Sequence, residues 1–473
     1  MKRISTIYLH LLLLLVFTLQ VSAQTPGLEG NWMGALDIGG GKVRFVLKIE
    51  KARDGYKATF DSIDQGARDL AIDTVTANGD KLSFSAAQFM MSYEGTVNDA
   101  KNEISGTFKQ GTASTPFTFR RINEIPAGIV RPQDPKKPYP YDEEDVSYKN
   151  AVDNVKLAGT LTMPRSPGKH PAVILISGSG AQDRDSLIYG HRPFLVLADH
   201  LTRNGIAVLR VDDRGTGRSE LGSLDATSEN FMGDVLAGVQ YLKTRLEIDQ
   251  KKIGLIGHSE GGMIAPLAAA RSRDVAFVIM LAGLGQRGED VVYTQNELLA
   301  KAGGSPATET ARAVELAKKA IAIIKAEADG ARIEQGINNM LDAYIASLSE
   351  DERKQAAPVL AGTRSSISIF KTPWYRYFVA FDPAPVLRNV TVPVLALNGE
   401  NDLQIAYKEN LSLIEAALKA GGNKDVTVKS FPLLNHLFQT SKTGHTSEYG
   451  KIDETMSPAV LTTITDWIAK RTR

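Results

Sequence analysis

The 473-residue chain contains no cysteine. Disulfide bonds, thiolate metal ligands and cysteine nucleophiles are therefore excluded, and covalent chemistry would have to use another nucleophilic side chain. The chain also lacks an excess of either charge, since its net charge at pH 7 is +1, and near-neutrality argues against nucleic acid as a partner. Histidine is scarce, with seven residues, so the candidates for a general base are few.

Long apolar runs are also rare, and the one that stands out lies at the N-terminus. Lys2 and Arg3 precede a mostly apolar run over Leu9–Leu19, followed by small residues up to Ala23. The run is shorter than the ~20 residues that a membrane span needs, so residues 1–23 are predicted to be a secretory signal peptide cut after Ala23. Cleavage leaves a net charge of −1. Since no cysteine follows to carry a lipid anchor, we expect a periplasmic or extracellular protein that is not attached to a membrane.

Residues 24–123 are predicted to form a small all-β domain, either a barrel or a sandwich. Short runs rich in β-formers, such as Val43–Ile49 and Ser92–Val97, are separated by turn signals such as Asn78-Gly79-Asp80. The segment contains no histidine and no catalytic constellation. An accessory, stabilising role is the favoured interpretation, and binding of carbohydrate or of a partner is the alternative.

A change of pattern follows the proline-rich residues 124–144, which are predicted to form a stiff, extended linker. Over residues 145–473, continuous apolar runs alternate with helical stretches, which predicts a mostly parallel sheet with helices on both faces. The runs are Ala172–Ile176, Ile206–Val211, Ile253–Ile256, Ala276–Leu281 and Val392–Leu397. Residues from about 285 to 377 interrupt this alternation with helical periodicity, and we expect them to form a cap over the strand ends or, alternatively, a purely structural excursion.

The strongest catalytic signal is Gly257-His258-Ser259-Glu260-Gly261. It directly follows a predicted strand and precedes a helix of small residues. A serine on such a tight strand-to-helix turn projects above the sheet at the positive end of the helix, and flanking glycines allow the close approach of strand and helix. Ser259 is therefore the candidate nucleophile.

A neutral serine hydroxyl is a poor nucleophile and needs a base. His436 lies in the loop after the last predicted strand, which opens at the same carboxyl edge of the sheet as Ser259. Asp402, in the loop after the preceding strand, is predicted to orient the imidazole. Glu400 and His445 are the alternatives. The chain order serine, aspartate, histidine is the order expected on this type of sheet.

A developing oxyanion needs two preorganised backbone donors. The N–H groups of Glu260 and of Ser179 are predicted to supply them, with the glycines beside Ser179 as alternatives. The loop Ser177–Gly180 could be mistaken for a phosphate-binding loop, but no Gly-Lys-Ser/Thr follows it. Asp213 ends an earlier strand and is interpreted as part of a structural turn.

Taken together, these motifs resemble the α/β-hydrolase superfamily over residues 145–473 and, more narrowly, the EstD-type bacterial esterases that are often labelled with the serine aminopeptidase domain. The residues that carry the resemblance are the Gly257–Gly261 turn, Ser177–Gly180 with the following Gln182–Asp185, Asp213–Ser219, Gly399–Asp402 and Asn435-His436. The resemblance implies the α/β-hydrolase fold with a helical cap. It also implies hydrolysis of carboxylic esters, with no metal and no cofactor. The predicted triad would act through an acyl-enzyme, and the near-neutral charge suits a small ester as substrate.

Two other functions remain open at this point. One is a serine peptidase or amidase that uses the same triad, and the other is a non-catalytic binding protein that acts through its β-domain. Trp374 and Tyr375, near the end of the predicted cap, are candidates for the lining of a substrate pocket, although packing of the cap on the core would explain them equally well. The physiological ester and the oligomeric state are not encoded in any motif.

Overall fold

An antiparallel sheet of nine strands forms the first part of the computed structural model, which describes residues 27–37, 42–65, 67–87, 91–110 and 113–472. The predicted signal peptide lies outside the described residues. The strands are β1 (Gly30–Asp37), β2 (Lys42–Ala52), β3 (Gly55–Ser62), β4 (Ala67–Ala71), β5 (Thr74–Asn78), β6 (Lys81–Ala86), β7 (Met91–Val97), β8 (Glu103–Gln110) and β9 (Ala113–Ile122).

This first sheet has the order β4-β3-β2-β1-β9-β8-β7-β6-β5. Every pairing joins two strands that are consecutive in the sequence, except the pairing of β1 with β9. Alternation along the strands directs one set of side chains inward; in β6, for example, Leu82, Phe84 and Ala86 are buried and Lys81 is exposed. The buried face is rich in stacked and edge-to-face aromatic rings. They are Phe60, Phe84, Tyr93, Phe108, Phe117 and Phe119.

A second sheet of eight strands forms the centre of the remaining chain, in the order β10-β11-β13-β12-β14-β15-β16-β17. The first two strands are antiparallel to their neighbours, and β13 onward are parallel to one another. Its strands are β10 (Asp142–Asn150), β11 (Val155–Met163), β12 (His170–Ile176), β13 (Ala207–Val211), β14 (Ile248–His258), β15 (Phe277–Leu281), β16 (Val394–Gly399) and β17 (Val426–Phe431).

Helices cover both faces of this sheet, because its strands are apolar on both sides. On one face pack α2 (Ser228–Lys243), α3 (Gly261–Arg271) and α11 (Tyr407–Ala420). On the other pack α1 (Pro193–Arg203) and α12 (Pro458–Thr472). The predicted class, a mostly parallel sheet with helices on both faces after an all-β N-terminal domain, is confirmed. None of the described helices is both long and apolar enough to cross a membrane.

A block of seven helices is inserted between β15 and β16. It consists of α4 (Gly288–Ala302), α5 (Ala307–Ala326), α6 (Gly330–Ala346), α7 (Glu350–Ser365), α8 (Ile367–Phe370), α9 (Pro373–Ala380) and α10 (Pro383–Leu387). The apolar stripe of α5 packs in a separate small core, where Ile321 and Ile324 are buried together with Ile337 of α6. The two ends of the block meet at its base, where the Gly288 N–H donates to the Phe381 carbonyl at 3.0 Å.

The proline-rich segment lies against the second sheet's layers. Arg131 is buried there and donates hydrogen bonds to the carbonyls of Tyr189 (2.8 Å), Gly450 (2.8 Å) and Ile452 (3.1 Å). Farther along, the Tyr141 hydroxyl donates to Asp199 at 2.9 Å. The segment is therefore held at Arg131 by the stretches that precede α1 and α12, and at Tyr141 by α1 itself, rather than standing free as a spacer.

Candidate active site

Ser259 lies between the end of β14 and the start of α3 with a backbone φ of +55°. That left-handed conformation is uncommon for a residue other than glycine and costs on the order of 1–3 kcal/mol. The turn is held by a hydrogen bond from the Ser259 N–H to the Leu281 carbonyl at 2.8 Å. A β-carbon at Gly257 would overlap the backbone of Gly261. The strand-to-helix turn Gly257–Gly261, called the elbow below, therefore needs glycine at position 257.

His436 and Asp402 form a buried pair, with Nδ1 of the histidine 2.8 Å from Oδ2 of the aspartate. Their side chains are 5% and 0% exposed. The other carboxylate oxygen of Asp402 accepts the N–H groups of Gln404 (2.8 Å) and Ile405 (2.9 Å). Since three donors fix this carboxylate, it can hold one ring orientation of His436 and leave Nε2 free toward the cavity.

The two alternatives to this pair lie elsewhere. The carboxylate of Glu400 accepts the Ser430 hydroxyl at 2.8 Å. The ring of His445 pairs with the Ser447 hydroxyl at 2.9 Å, at the start of a short 3-10 helix. Of the acids and histidines weighed from the sequence, the structure therefore brings together Asp402 and His436.

A cavity of about 500 Å³ lies between the carboxyl edge of the second sheet and the inserted helices. Ser259, His436 and Ser179 all line it, as do Trp374 and Tyr375. The face opposite the serine is apolar and comes from the inserted helices. Its residues include Val291, Leu316, Ala317, Ile321, Ile324 and Phe378. The inserted block thus roofs the candidate nucleophile, which is the position predicted for a cap.

The loop that carries Ser179 is clamped at both ends by Asp213. Its carboxylate accepts the Ser177 hydroxyl (2.7 Å) and the Gln182 N–H (2.9 Å), and its own N–H donates to the Gln182 carbonyl at 3.0 Å. The N–H groups of Ser179 and Glu260 donate to no acceptor among the described residues. Asp213 is part of a turn, as interpreted, but sequence reasoning missed its clamp on this loop because no motif marks it.

Asp213 also has an unusual acidity. Burial, with a smaller contribution from the nearby charges of Glu260 and Asp234, raises the pKa of its carboxyl to about 7, although the hydrogen bonds from Ser177 and Gln182 oppose the shift. A carboxyl in this position therefore titrates near neutral pH.

The side chain of His258 forms a hydrogen bond with the loop that contains His436. Its Nε2 lies 2.9 Å from the backbone carbonyl of His436, so this nitrogen carries the proton and donates. The two ring centroids are 4.7 Å apart. Burial, together with the neighbouring His436, lowers the pKa of His258 to about 4, so the ring is neutral at pH 7 and adds no charge beside His436.

The Glu260 side chain connects the elbow to the inserted helices. Its Oε1 accepts the Ser228 hydroxyl at 2.7 Å and the Trp374 indole N–H at 2.9 Å. Trp374 thus lines the cavity and also ties α9 to the elbow. Tyr375 packs on Phe370 of the inserted block itself, with ring centroids 5.1 Å apart. Both aromatic residues therefore line the cavity, and Trp374 in addition connects the cap to the core.

No group of three or more histidine, aspartate and glutamate side chains in the described part of the chain is arranged to hold a metal ion.

Comparison with known proteins agrees with this architecture. Residues 192–350 match the family model described as serine aminopeptidase, S33; the matched range contains Ser259 and ends before Asp402. Esterase EstD of Thermotoga maritima is 26% identical over 375 residues, which are 77% of this chain and 78% of that protein.

Similar solved structures include a Pyrococcus furiosus esterase, with a TM-score of 0.43, 16% identity and coverage of 70% of this chain and 92% of the other. Est1E of Butyrivibrio proteoclasticus with bound ferulic acid has a TM-score of 0.38, 18% identity and coverage of 69% and 98%. The order of the second sheet and the serine turn after β14 give this chain the α/β-hydrolase fold, and its sequence is similar to the serine aminopeptidase, S33 family model and to esterase EstD.

Proposed function

We propose that this protein is a secreted carboxylesterase in which Ser259, His436 and Asp402 act as a catalytic triad. The observation that carries the proposal is the convergence at one cavity of a strained serine, a buried histidine–carboxylate pair and two backbone N–H groups without protein acceptors. The similarity to EstD supports ester hydrolysis as the reaction.

The proposed reaction begins when the Ser259 hydroxyl attacks the ester carbonyl carbon and His436 Nε2 takes its proton. The carbonyl oxygen becomes an oxyanion, which accepts hydrogen bonds from the N–H groups of Ser179 and Glu260. His436 then gives the proton to the departing alcohol oxygen, and an acyl-enzyme remains. A water molecule repeats the sequence: His436 deprotonates it, it attacks the acyl carbon, and the proton returns to Ser259 as the carboxylic acid leaves.

Asp402 supports each of these steps without taking the proton itself. Its Oδ2 faces Nδ1 of His436, and its Oδ1 is fixed by the N–H groups of Gln404 and Ile405. A carboxylate so held favours the tautomer with the proton on Nδ1 and stabilises the imidazolium that forms when Nε2 takes the serine proton.

Rates on p-nitrophenyl esters and on aminoacyl p-nitroanilides, each with the wild-type chain and with Ser259→Ala, test this proposal. Ester cleavage that disappears in Ser259→Ala supports it. Cleavage of anilides without esters would assign an amidase instead, and ester cleavage that survives in Ser259→Ala would overturn the triad.

Secretion is the second part of the proposal and rests on the N-terminal sequence alone. N-terminal sequencing of the protein recovered from a bacterial host's periplasm or medium should begin at Gln24. Recovery of a full-length chain in the cytoplasmic fraction would contradict it.

A further inference from the structure

A second cavity, of about 550 Å³, lies on the other side of the loop that carries Ser179. Its walls come from residues 177–181, the end of β13, helix α2 and the cap near α9. It shares Gly178, Ser179 and Trp374 with the cavity beneath the cap. The two cavities are therefore adjacent, with the loop of the proposed oxyanion donor and Trp374 as their common walls.

This second cavity opens to solvent through an apolar rim. Leu224 and Ile369 line it and are 82% and 50% exposed. Exposed apolar residues at the mouth of an apolar cavity are typical of a binding site for an apolar group. Deeper inside, the lining is largely apolar and includes Phe231 and Val235 of α2, beside a few charged side chains.

The position of His436 decides which part of an ester each cavity suits. The histidine must protonate the departing oxygen, so the alcohol part of the substrate has to lie beside it. His436 lines the cavity beneath the cap, whereas neither His436 nor Ser259 is among the described residues that line the second cavity. Since the two substituents of a carbonyl carbon point apart, the acyl part lies away from His436, on the side of the second cavity.

We propose that the second cavity binds the acyl chain of the ester and that the cavity beneath the cap binds its alcohol. This assignment rests on the proposed esterase function and deepens it. The enzyme is then specific for esters that are extended on both sides of the carbonyl group. Trp374, which lines both cavities, separates the acyl chain from the alcohol part.

The charges of the second cavity restrict the acyl chain further. The carboxylates of Glu260 and Asp234 line it, together with Asp213, whose pKa of about 7 leaves it partly protonated at neutral pH. Among the described residues, the single lining guanidinium, Arg214, is already paired with Asp153 and Asp234. A second carboxylate on the acyl chain would be repelled there. The substrate class is therefore esters of apolar monocarboxylic acids rather than half-esters of dicarboxylic acids.

The test uses two isomeric esters that differ only in which arm is long, ethyl hexanoate and hexyl acetate, with rates followed by pH-stat titration. Leu224→Trp places a large ring at the mouth of the second cavity, and Ala317→Trp places the same ring in the cavity beneath the cap. Leu224→Trp should lower kcat/KM for ethyl hexanoate by at least about tenfold and leave hexyl acetate within about twofold. Ala317→Trp should do the reverse.

Several outcomes separate the two proposals. Equal effects of Leu224→Trp on both esters, no effect, or an effect on hexyl acetate alone would overturn the acyl assignment while the esterase function stands. Absence of hydrolysis of either ester by the wild-type chain, or activity in Ser259→Ala, would instead overturn the proposed function. Ile369→Trp at the same rim serves as a second variant, since its exposed side chain can be replaced without disturbing the core.

Discussion

Single residues at the elbow combine catalytic chemistry with backbone strain. Ser259 has a φ of +55°, where any residue with a β-carbon is strained and glycine is not. We expect both Ser259→Ala and Ser259→Gly to abolish ester hydrolysis, but Ser259→Gly to have the higher free energy of unfolding, by about 1 kcal/mol. Thermal melts of the two variants measure the difference, and equal melting temperatures would show that the elbow stores no strain.

The carboxylate at position 402 is expected to act through the tautomer of His436. Asp402→Asn keeps an acceptor for the N–H groups of Gln404 and Ile405 but presents an amide donor to Nδ1 of the histidine. By the precedent of serine hydrolases we expect kcat/KM to fall by roughly 10⁴-fold with the melting temperature nearly unchanged. Glu400→Gln, two residues away on an exposed side chain, is the matched control and should keep wild-type rates.

The raised pKa of Asp213 leads to a third prediction, which concerns the pH dependence of the free energy of unfolding. The folded chain holds this proton up to a pKa of about 7, whereas the unfolded chain releases it near pH 4. Between these values the native state binds more protons than the unfolded state, so this residue lowers stability as pH rises, by at most about 1.4 kcal/mol per pH unit.

Asp213→Asn mimics the protonated carboxyl and removes that slope. The melting temperature of the variant relative to the wild type should therefore increase from pH 5 to pH 8. A difference that stays constant or decreases over this range would contradict a raised pKa at Asp213.

At the scale of secondary structure elements, the cap helix α9 is tied to the elbow by one charge-assisted hydrogen bond, from Trp374 to Glu260. Trp374→Phe keeps an aromatic ring of smaller size and removes the donor, which should loosen α9 by about 1.5–3 kcal/mol. We expect faster limited proteolysis within the cap. Tyr375→Phe is the control, since the Tyr375 hydroxyl makes no hydrogen bond among the described residues; equal cleavage rates in the two variants would rule out the tie.

In the second sheet, most of the strands that sequence reasoning predicted have a continuous apolar run. The run Ile253–Ile256 predicted β14 because a strand buried on both faces is apolar at every position. In contrast, β10, with the sequence Asp-Glu-Glu-Asp-Val-Ser-Tyr-Lys-Asn, is a polar edge strand, and its composition gives no strand signal. Tertiary pairing with β11 decides its conformation, and no local pattern reports that.

Sequence reasoning also placed some residues of the candidate site and missed the contacts of others. Ser259 could be placed from a local motif, and Asp402 and His436 from their positions after successive strands, because parallel strands end at one edge of a sheet. The clamp by Asp213 and the bond from Trp374 to Glu260 join residues more than thirty positions apart in sequence. Such contacts depend on how loops fold over the edge, which the spacing of residues does not specify.

At the scale of the whole molecule, the proline-rich segment behaves as part of the hydrolase layer. Gln133 adds to the anchoring by Arg131, since its side chain accepts the Thr455 and Met456 N–H groups and donates to the Met456 carbonyl. A chain that begins at residue 124 should therefore keep wild-type kcat/KM on small esters, whereas a chain that begins at residue 142 should melt several degrees lower.

The comparison of these two truncations separates the roles of the N-terminal sheet and of the segment after it. If the chain from residue 124 loses activity on small esters, the N-terminal sheet contributes directly to the site and is not an accessory. If the chain from residue 142 melts like the longer one, the contacts of Arg131 and Gln133 add no stability.

The two ends of the inserted block lie close together, and this has a consequence for how the enzyme can evolve. β15 and β16 are adjacent parallel strands, and the Gly288–Phe381 hydrogen bond joins the start of α4, the first inserted helix, to the end of α9. A segment whose two ends lie side by side can lengthen, shorten or be exchanged without shifting the register of any strand. Related enzymes could thus evolve specificity for different alcohols through changes in the inserted helices alone, while the sheet and the catalytic residues stay the same.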